Sequence, residues 1–310
     1  VEKIWNFAID RGGTFTDVIA WTDGGDFRTL KLLSDNPGQY DDAAIEAVRR
    51  ILAEDPDAAL GVVRMGTTVA TNALLERKGA RTALAITRGI GDALRIGYQA
   101  RPHIFARHII LPEQPYEAVA EIDERIAANG ETVAPIDEKS VRDSLQTLRD
   151  DGFEALAIVL MHGWKFPDHE RRVAVIAKEI GFPQISVSHE VAPLIKLVGR
   201  GDTTVVDAYL SPILRRYIDK VAGGIGSKTS LRFMQSNGGL ADAQAFRGKD
   251  AILSGPAGGV VGMVQSALGL SEGRLIGFDM GAPPPTCRIT RGNLNLRTKA
   301  SSPAFESARR

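Results

Sequence analysis

Only one cysteine, Cys287, occurs in 310 residues, which excludes an internal disulfide and any zinc site built on several thiolates. Net charge is absent too. Thirty-eight Lys and Arg balance 38 Asp and Glu, so no bulk positive field draws the chain to nucleic acid or to an anionic membrane. Long apolar runs are also missing: stretches such as Ala155–Met161 reach strand length and stop, far short of the ~20 residues a membrane span needs. The N-terminus lacks the basic-then-apolar plan of a signal peptide. With 44% hydrophobic and 25% charged residues, the composition is that of a soluble globular protein, and a cytoplasmic enzyme is the expectation. The histidines, His103, His108, His162, His169 and His189, lack any metal-ligand spacing. His162 and the pair His169-Glu170 flank one loop and could line a site, but a structural or surface role is the more ordinary reading of each.

What the chain does have is a repeated device. Residues 7–13, Phe-Ala-Ile-Asp-Arg-Gly-Gly, and residues 276–281, Ile-Gly-Phe-Asp-Met-Gly, are each a short apolar strand ending in an aspartate and glycine. The first continues through Thr14-Phe15-Thr16-Asp17 into a second apolar strand, and so reads as a β-hairpin with a glycine-threonine tip. Such a tip offers free backbone N–H groups to an anion, and an aspartate at the strand end can hold hydrated Mg²⁺ beside it. An ordinary tight turn is the competing reading. It leaves two glycines, two threonines and two aspartates within eight residues unexplained. Two facing hairpins would clamp a nucleotide phosphate.

Around this device the pattern alternates between strand and helix, which predicts an α/β fold. Strands are expected near Trp5–Ile9, Phe15–Trp21, Phe27–Leu33, Val62–Met65, Ala83–Thr87, Ala155–Leu160, Ile185–Ser188, Leu231–Gln235 and Arg274–Asp279. Helices are expected near Asp41–Ala53, Val69–Arg77, Glu138–Arg149, Asp168–Ile180, Thr203–Val221 with a kink or break at Pro212, and Val260–Leu268. Gly66-Thr67-Thr68, with Thr71 and Asn72 a turn later, sets hydroxyls and an amide at a helix N-terminus, which suits a carboxylate or phosphate. Plain threonine capping is equally compatible. Gly255–Gly262 departs from the dinucleotide-loop order and reads as close packing against the second hairpin. Gly223–Thr229 lacks the Gly-Lys-Ser/Thr order of a P-loop and reads as a flexible turn.

These residues together resemble the hydantoinase A/5-oxoprolinase family, in particular its ATP-dependent 5-oxoprolinases. The resemblance runs over about residues 4–281. It rests on residues 10–17, on Arg64–Arg77 with its Met-Gly-Thr-Thr-Val-Ala-Thr-Asn core, and on Gly97–Phe105, His162–Glu170, Thr203–Pro212 and Ser254–Gly262. It implies an actin-like ATPase fold with ribonuclease-H-like halves, the second half incomplete here. Residues 1–200 would form the N-terminal region of the family and 201–281 the start of its core domain. The implied reaction is ATP-driven opening of 5-oxo-L-proline, or a related cyclic amide, to L-glutamate with ADP and phosphate released. An N-methylhydantoinase-type amidohydrolase and a non-catalytic actin-like module are the alternatives. Carried over residue by residue, Asp10 and Asp279 are catalytic. Arg11, Gly12, Gly13, Thr14, Thr16 and Gly281 contact phosphate, Asp10 and Asp17 organise Mg²⁺ and water, and Gly66, Thr67, Thr68 and Asn72 face substrate. A hydantoinase B-like region or subunit and a homo-oligomer are the implied partners, with no nucleic acid and no membrane.

The resemblance stops at Ala282. Residues 282–310 carry Pro283-Pro284-Pro285, the sole cysteine and no apolar periodicity. One restored base ahead of codons compatible with 282–288 spells Gly-Thr-Ser-Thr-Asp-Val-Ser, which resembles the continuation found in family members. The expectation is therefore a frame-slipped, irregular tail that leaves the strand Arg274–Asp279 without a hairpin partner and the chain inactive, with a divergent native tail as the alternative.

Overall fold

β1 (Ile4–Arg11) opens the chain with period-two alternation: Trp5, Phe7 and Ile9 are buried and Asp10 is exposed. The structure is a computed structural model, and it describes residues 2–99, 105–226, 229–267, 274–279 and 286–291. β2 (Phe15–Trp21) and β3 (Phe27–Leu33) extend β1 as an antiparallel meander. α1 (Ala43–Ala53) starts where Asp42 Oδ1 accepts the N–H groups of Ala44 and Ile45, a cap contributing ~1 kcal/mol. β4 (Ala59–Thr67) lies parallel to β1, and α2 (Val69–Leu75) leaves its end.

β5 (Thr82–Thr87), α3 (Ala93–Ile96), β6 (Ala118–Ile122) and the ribbon β7 (Arg125–Ile126) with β8 (Thr132–Ala134) come next. α4 (Glu138–Asp150), capped by Asp137, leads to β9 (Ala155–Val159), α5 (Asp168–Ile180), β10 (Gln184–Val187) and α6 (Ser188–Val191). The long α7 (Leu197–Ile225) is followed by β11 (Ser230–Met234), β12 (Leu240–Asp242), α8 (Gly248–Ala251), α9 (Ser254–Ser266), β13 (Arg274–Asp279) and β14 (Thr286–Arg291).

The chain divides into two compact units. The first holds Val1–Asn72 and the described residues from Leu214 onward, around a six-stranded sheet in the order β12-β11-β4-β1-β2-β3. An antiparallel meander continued by parallel β4 and β11 gives the α/β fold of the actin-like, ribonuclease-H-like ATPases. The second unit, Ala73–Ile213, has a parallel sheet in the order β10-β9-β5-β6, and every residue of β5 and β9 is buried. These units cut the chain differently from the linear regions 1–200 and 201–281. The reason is that β11 pairs with β4, which puts residues on both sides of the second unit into one sheet.

Three local expectations are corrected. Gly223-Gly224 is helix and not a flexible turn: α7 runs to Ile225, and a Cβ on Gly224 would overlap the Ile45 side chain of α1, so glycine permits close helix packing. α9 begins at Ser254, six residues before the apolar run, because Pro256 suits a first helical turn and the glycines follow within the helix. β13 does have a hairpin partner. β14 pairs with it antiparallel from Arg274↔Arg291 to Asp279↔Thr286. The remainder of the 282–310 stretch lies outside the described residues. α7 is continuous through Pro212. Among the described residues no helix is long and apolar enough to cross a membrane.

Candidate functional site

The site lies in the first unit, at the carboxyl ends of β1 and β4. Ligands of parallel sheets collect at such ends because the loops and helix N-termini that leave them present unpaired N–H groups. The β1–β2 tip closes through Gly12 N–H donating to the Phe15 carbonyl at 3.0 Å. A Cβ on Gly12 would stand 2.8 Å from that oxygen, so the turn admits only glycine. Ser34 braces the tip from β3: its N–H donates to the Thr14 carbonyl at 2.8 Å, and its Oγ donates to the Gly12 carbonyl at 2.7 Å.

β4 brings up the second constellation. Asp10 lies opposite Gly66 and Arg11 opposite Thr67 in the parallel register. A Cβ on Gly66 would sit 3.1 Å from Asp10 Oδ1, so glycine leaves the carboxylate its room. The Thr68 N–H donates to the Arg11 carbonyl at 3.1 Å and thereby ties the start of α2 to the tip. Asn72 Nδ2, 3.4 Å from Thr68 Oγ1, would be 3.3 Å from a Cβ on Gly13. The tip and the Gly66–Asn72 step, which are separate signals in sequence, therefore form one surface.

Period-two alternation sorts the polar residues of the hairpin. Asp10 and Asp17 are a cross-strand pair, both exposed on one face, and Lys31 Nζ donates to Asp17 at 2.7 and 2.9 Å. Arg11 and Thr16 face the opposite way. The Arg11 side chain is 13% exposed; it donates to Asp35 Oδ1 at 3.1 Å, and its Nε stands 3.6 Å from Asp42 Oδ2. Its guanidinium lies 5.1 Å from the Tyr217 ring centre, and burial pushes the Tyr217 hydroxyl well above the usual phenol range. Thr16 is fully buried, its Oγ1 3.0 Å from Ser34 Oγ. Arg11 and Thr16 thus hold the tip from behind, while Asp10, Gly13 and Thr14 are presented to solvent.

Two contributors went unassigned in the sequence reading. Ser254, at the start of α9, donates through Oγ to the Thr67 carbonyl at 3.0 Å, and Gly255 follows within 3.9 Å of Thr68 measured from its Cβ position. The N-terminal turn of α9 therefore stands beside the tip region with its unpaired N–H groups. The loop after β11 closes as a turn, with Gln235 N–H to the Gly239 carbonyl at 2.8 Å and Gly239 N–H to Asn237 Oδ1 at 2.8 Å. The signal available was a strand, then Asn-Gly-Gly, then Ser-Gly-Pro-Ala-Gly-Gly. It was obscured because the glycines resembled a loop. Asp279 ends β13, and Gly281 lies outside the described residues.

Asp10 and Asp17 meet the usual demand of Mg²⁺, one or two carboxylates with nucleotide phosphates completing the shell. Among the described residues no cluster of three or more His, Cys, Asp or Glu forms a cage, so such an ion would arrive with its nucleotide.

Comparison with known proteins gives the family. Residues 6–181 match the hydantoinase/oxoprolinase N-terminal region and residues 200–299 match the hydantoinase/oxoprolinase family, a match that continues beyond Gly281. 5-Oxoprolinase 1 of Arabidopsis thaliana is 45% identical over 91% of this chain and 25% of its own length. The nucleotide-free structure of an acetone carboxylase superposes with a TM-score of 0.78 at 25% identity, over 93% of this chain and 44% of that one. The ATP-dependent caprolactamase of Pseudomonas jessenii superposes with a TM-score of 0.77 at 29% identity, over the same shares. The chain spans about a quarter of the length of the curated 5-oxoprolinase that it matches.

Proposed function

The chain belongs to the hydantoinase/oxoprolinase family, and on that premise we propose that it forms the nucleotide-phosphate-binding part of an ATP-dependent cyclic-amide hydrolase acting on 5-oxo-L-proline. The observation that carries this reading is the β1–β2 tip, where a glycine-only turn, an exposed aspartate and the α2 and α9 N-termini come together.

An unactivated lactam is a poor electrophile. Transfer of a phosphoryl group from ATP to its carbonyl oxygen would make the carbon electrophilic. One water would add there and the ring C–N bond would break with the nitrogen leaving as the amine, which gives an acyl phosphate. A second water would then hydrolyse that acyl phosphate to glutamate and phosphate. In this chain the N–H groups of Gly13 and Thr14 would take the phosphate oxygens, with Gly12 shaping the turn. Thr68 and Asn72 would bind phosphate or the substrate carboxylate from the α2 side. Asp10, helped by Asp17, would hold Mg²⁺, which when bound neutralises charge on the phosphates. Arg11 and Thr16 would position the tip without touching the nucleotide. Asp279 and Gly281 would open the second phosphate loop. A hydantoinase B-like region or subunit would complete the reaction.

The test is made in the family-length protein with its hydantoinase B-like part. 5-Oxo-L-proline should drive ADP and glutamate release in equal amounts, and Asp10→Ala should remove that turnover. Coupled turnover that persists undiminished in Asp10→Ala would contradict the assignment, and turnover of hydantoins without response to 5-oxo-L-proline would favour the hydantoinase reading.

A further inference from the structure

The second unit carries a cavity of its own, with a volume of about 430 Å³. It lies where β9 hands over to α5. The sheet order β10-β9-β5-β6 reverses between β5 and β9, the first and third strands of this sheet in sequence. Crevices at the carboxyl ends of strands flanking such a reversal are the habitual ligand positions of parallel sheets. The volume falls within the ~300–1,000 Å³ of small-molecule pockets.

The chemistry of its wall has one sign. Met161, Trp164, Phe166 and Leu197 supply an apolar, partly aromatic lining. Among the described residues, the charged ones on it are Lys165 and Arg200, and no carboxylate lines it. Arg200 is 1% exposed, and its nitrogens donate to the carbonyls of Leu160 at 2.6 Å and Leu194 at 2.8 Å and to Ser188 Oγ at 2.9 Å. Among the described residues no acid reaches it directly. Glu170 stands behind Ser188, whose hydroxyl donates to Glu170 Oε1 at 2.5 Å, and behind the Leu160 backbone, and its charge acts on Arg200. That carboxylate is also occupied by the N–H of Leu160 and by the backbone N–H and Nδ1 of His189. Lys165 is exposed, and among the described residues it has no carboxylate at ion-pairing distance. His162, on the same wall, sits at φ 59°, in the left-handed region. Its Nδ1–H donates to the Ile126 carbonyl at 2.7 Å, which leaves Nε2 as the nitrogen able to accept.

We propose that this cavity is a binding site for a small ring-bearing monocarboxylate, whose ring packs on Trp164 and Phe166 and whose carboxylate meets Lys165. A donor on the ring would be accepted by His162 Nε2. The buried Arg200–Ser188–Glu170–His189 cluster keeps this wall preorganised, and the exposed Lys165 ammonium favours an anion over a cation.

Three indoles that differ only in charge test this on the intact chain by isothermal titration: indole-3-acetate, 3-methylindole and tryptamine. Indole-3-acetate should bind, 3-methylindole should bind roughly tenfold more weakly for want of one charge-assisted contact, and tryptamine should bind weakest of the three. Lys165→Met, an exposed substitution, should bring indole-3-acetate down to the affinity of 3-methylindole. Trp164→Ala should weaken all three, with thermal melting used to confirm that each variant is folded. No binding of indole-3-acetate at millimolar concentration, equal binding of the three, or affinity unchanged in folded Lys165→Met would each overturn the proposal.

Discussion

The two units use their polar residues in opposite ways. In the six-stranded sheet, β1 and β2 alternate, so one face of the hairpin enters the core and the other carries Asp10 and Asp17 into solvent. In the four-stranded sheet, β5 and β9 are buried on both faces, and their polar chemistry is confined to strand ends and to enclosed pairs such as Glu124 with His169 and Glu170 with His189. Alternation presents an aspartate to solvent, whereas enclosure makes a carboxylate part of the framework. Acidic residues in the second unit should therefore govern stability, and those at the tip of the first should govern function.

The largest expected effect is at Glu170. Glu170→Leu would leave the N–H of Leu160, the Ser188 hydroxyl and both His189 donors without their acceptor, and Arg200 without its nearest negative charge. A loss of about 3–5 kcal/mol is expected, measured by urea denaturation. Asp10→Asn should change stability by less than ~0.5 kcal/mol, as exposed positions do. Equal losses at both positions would break the comparison.

Asp202, on α7 in the second unit, is next. Burial pushes its carboxyl up to about 6 from an ordinary 3.8. Because the native state holds the proton more tightly, stability should rise as pH falls from about 6 towards 3.8, and the cost of ionisation should be fully present above 6. Asp202→Asn should stabilise the protein at pH 7, by an amount that solvent screening of this half-buried group holds to about 1 kcal/mol, and flatten that limb. A pH-stability profile of the two proteins is the check, and an unchanged slope would contradict the burial argument.

A smaller effect belongs to Arg11. Arg11→Met removes its pairing with Asp35 and Asp42 and should cost about 1–2 kcal/mol, visible as a lowered melting temperature. The smallest is at Glu46 in α1, whose carboxyl Arg49 and Arg50 hold down at about 2. A depressed folded value gives stability that is present above the unfolded value, 4.5, and lost as pH falls towards 2. Glu46→Gln should remove only that acid limb, the reverse of the Asp202 profile.

Much of this was legible in the sequence. The strands of the β1–β3 meander follow from alternation, the Asp137 cap from its position before an amphipathic run, and the glycine-threonine tip from residue density alone. Arg11 and Asp10 could not be told apart by density, because adjacent residues on a strand face opposite ways and only pairing shows which face is covered. The Gly66–Asn72 step gained its meaning from a parallel pairing more than fifty residues away in the chain. The discontinuous first unit was hidden for the same reason, since β11 returns to β4 after a complete second sheet. The start of α9 was missed because glycines lower helix propensity locally while tertiary contacts such as Ser254 to Thr67 override it. β14 was missed because Thr286–Arg291 alternates polar and apolar residues too weakly to stand out without its partner strand.

The central claim is that the β1–β2 tip binds nucleotide phosphate. The most direct test is a titration of the isotopically labelled chain with Mg-ATP, followed through backbone amide resonances. The account predicts saturable shifts centred on Gly12, Gly13 and Thr14 and extending to Thr68 and Asn72, and their loss in Gly12→Val, whose Cβ would meet the Phe15 carbonyl. Shifts that leave these amides untouched, or that persist unchanged in a folded Gly12→Val, would contradict it.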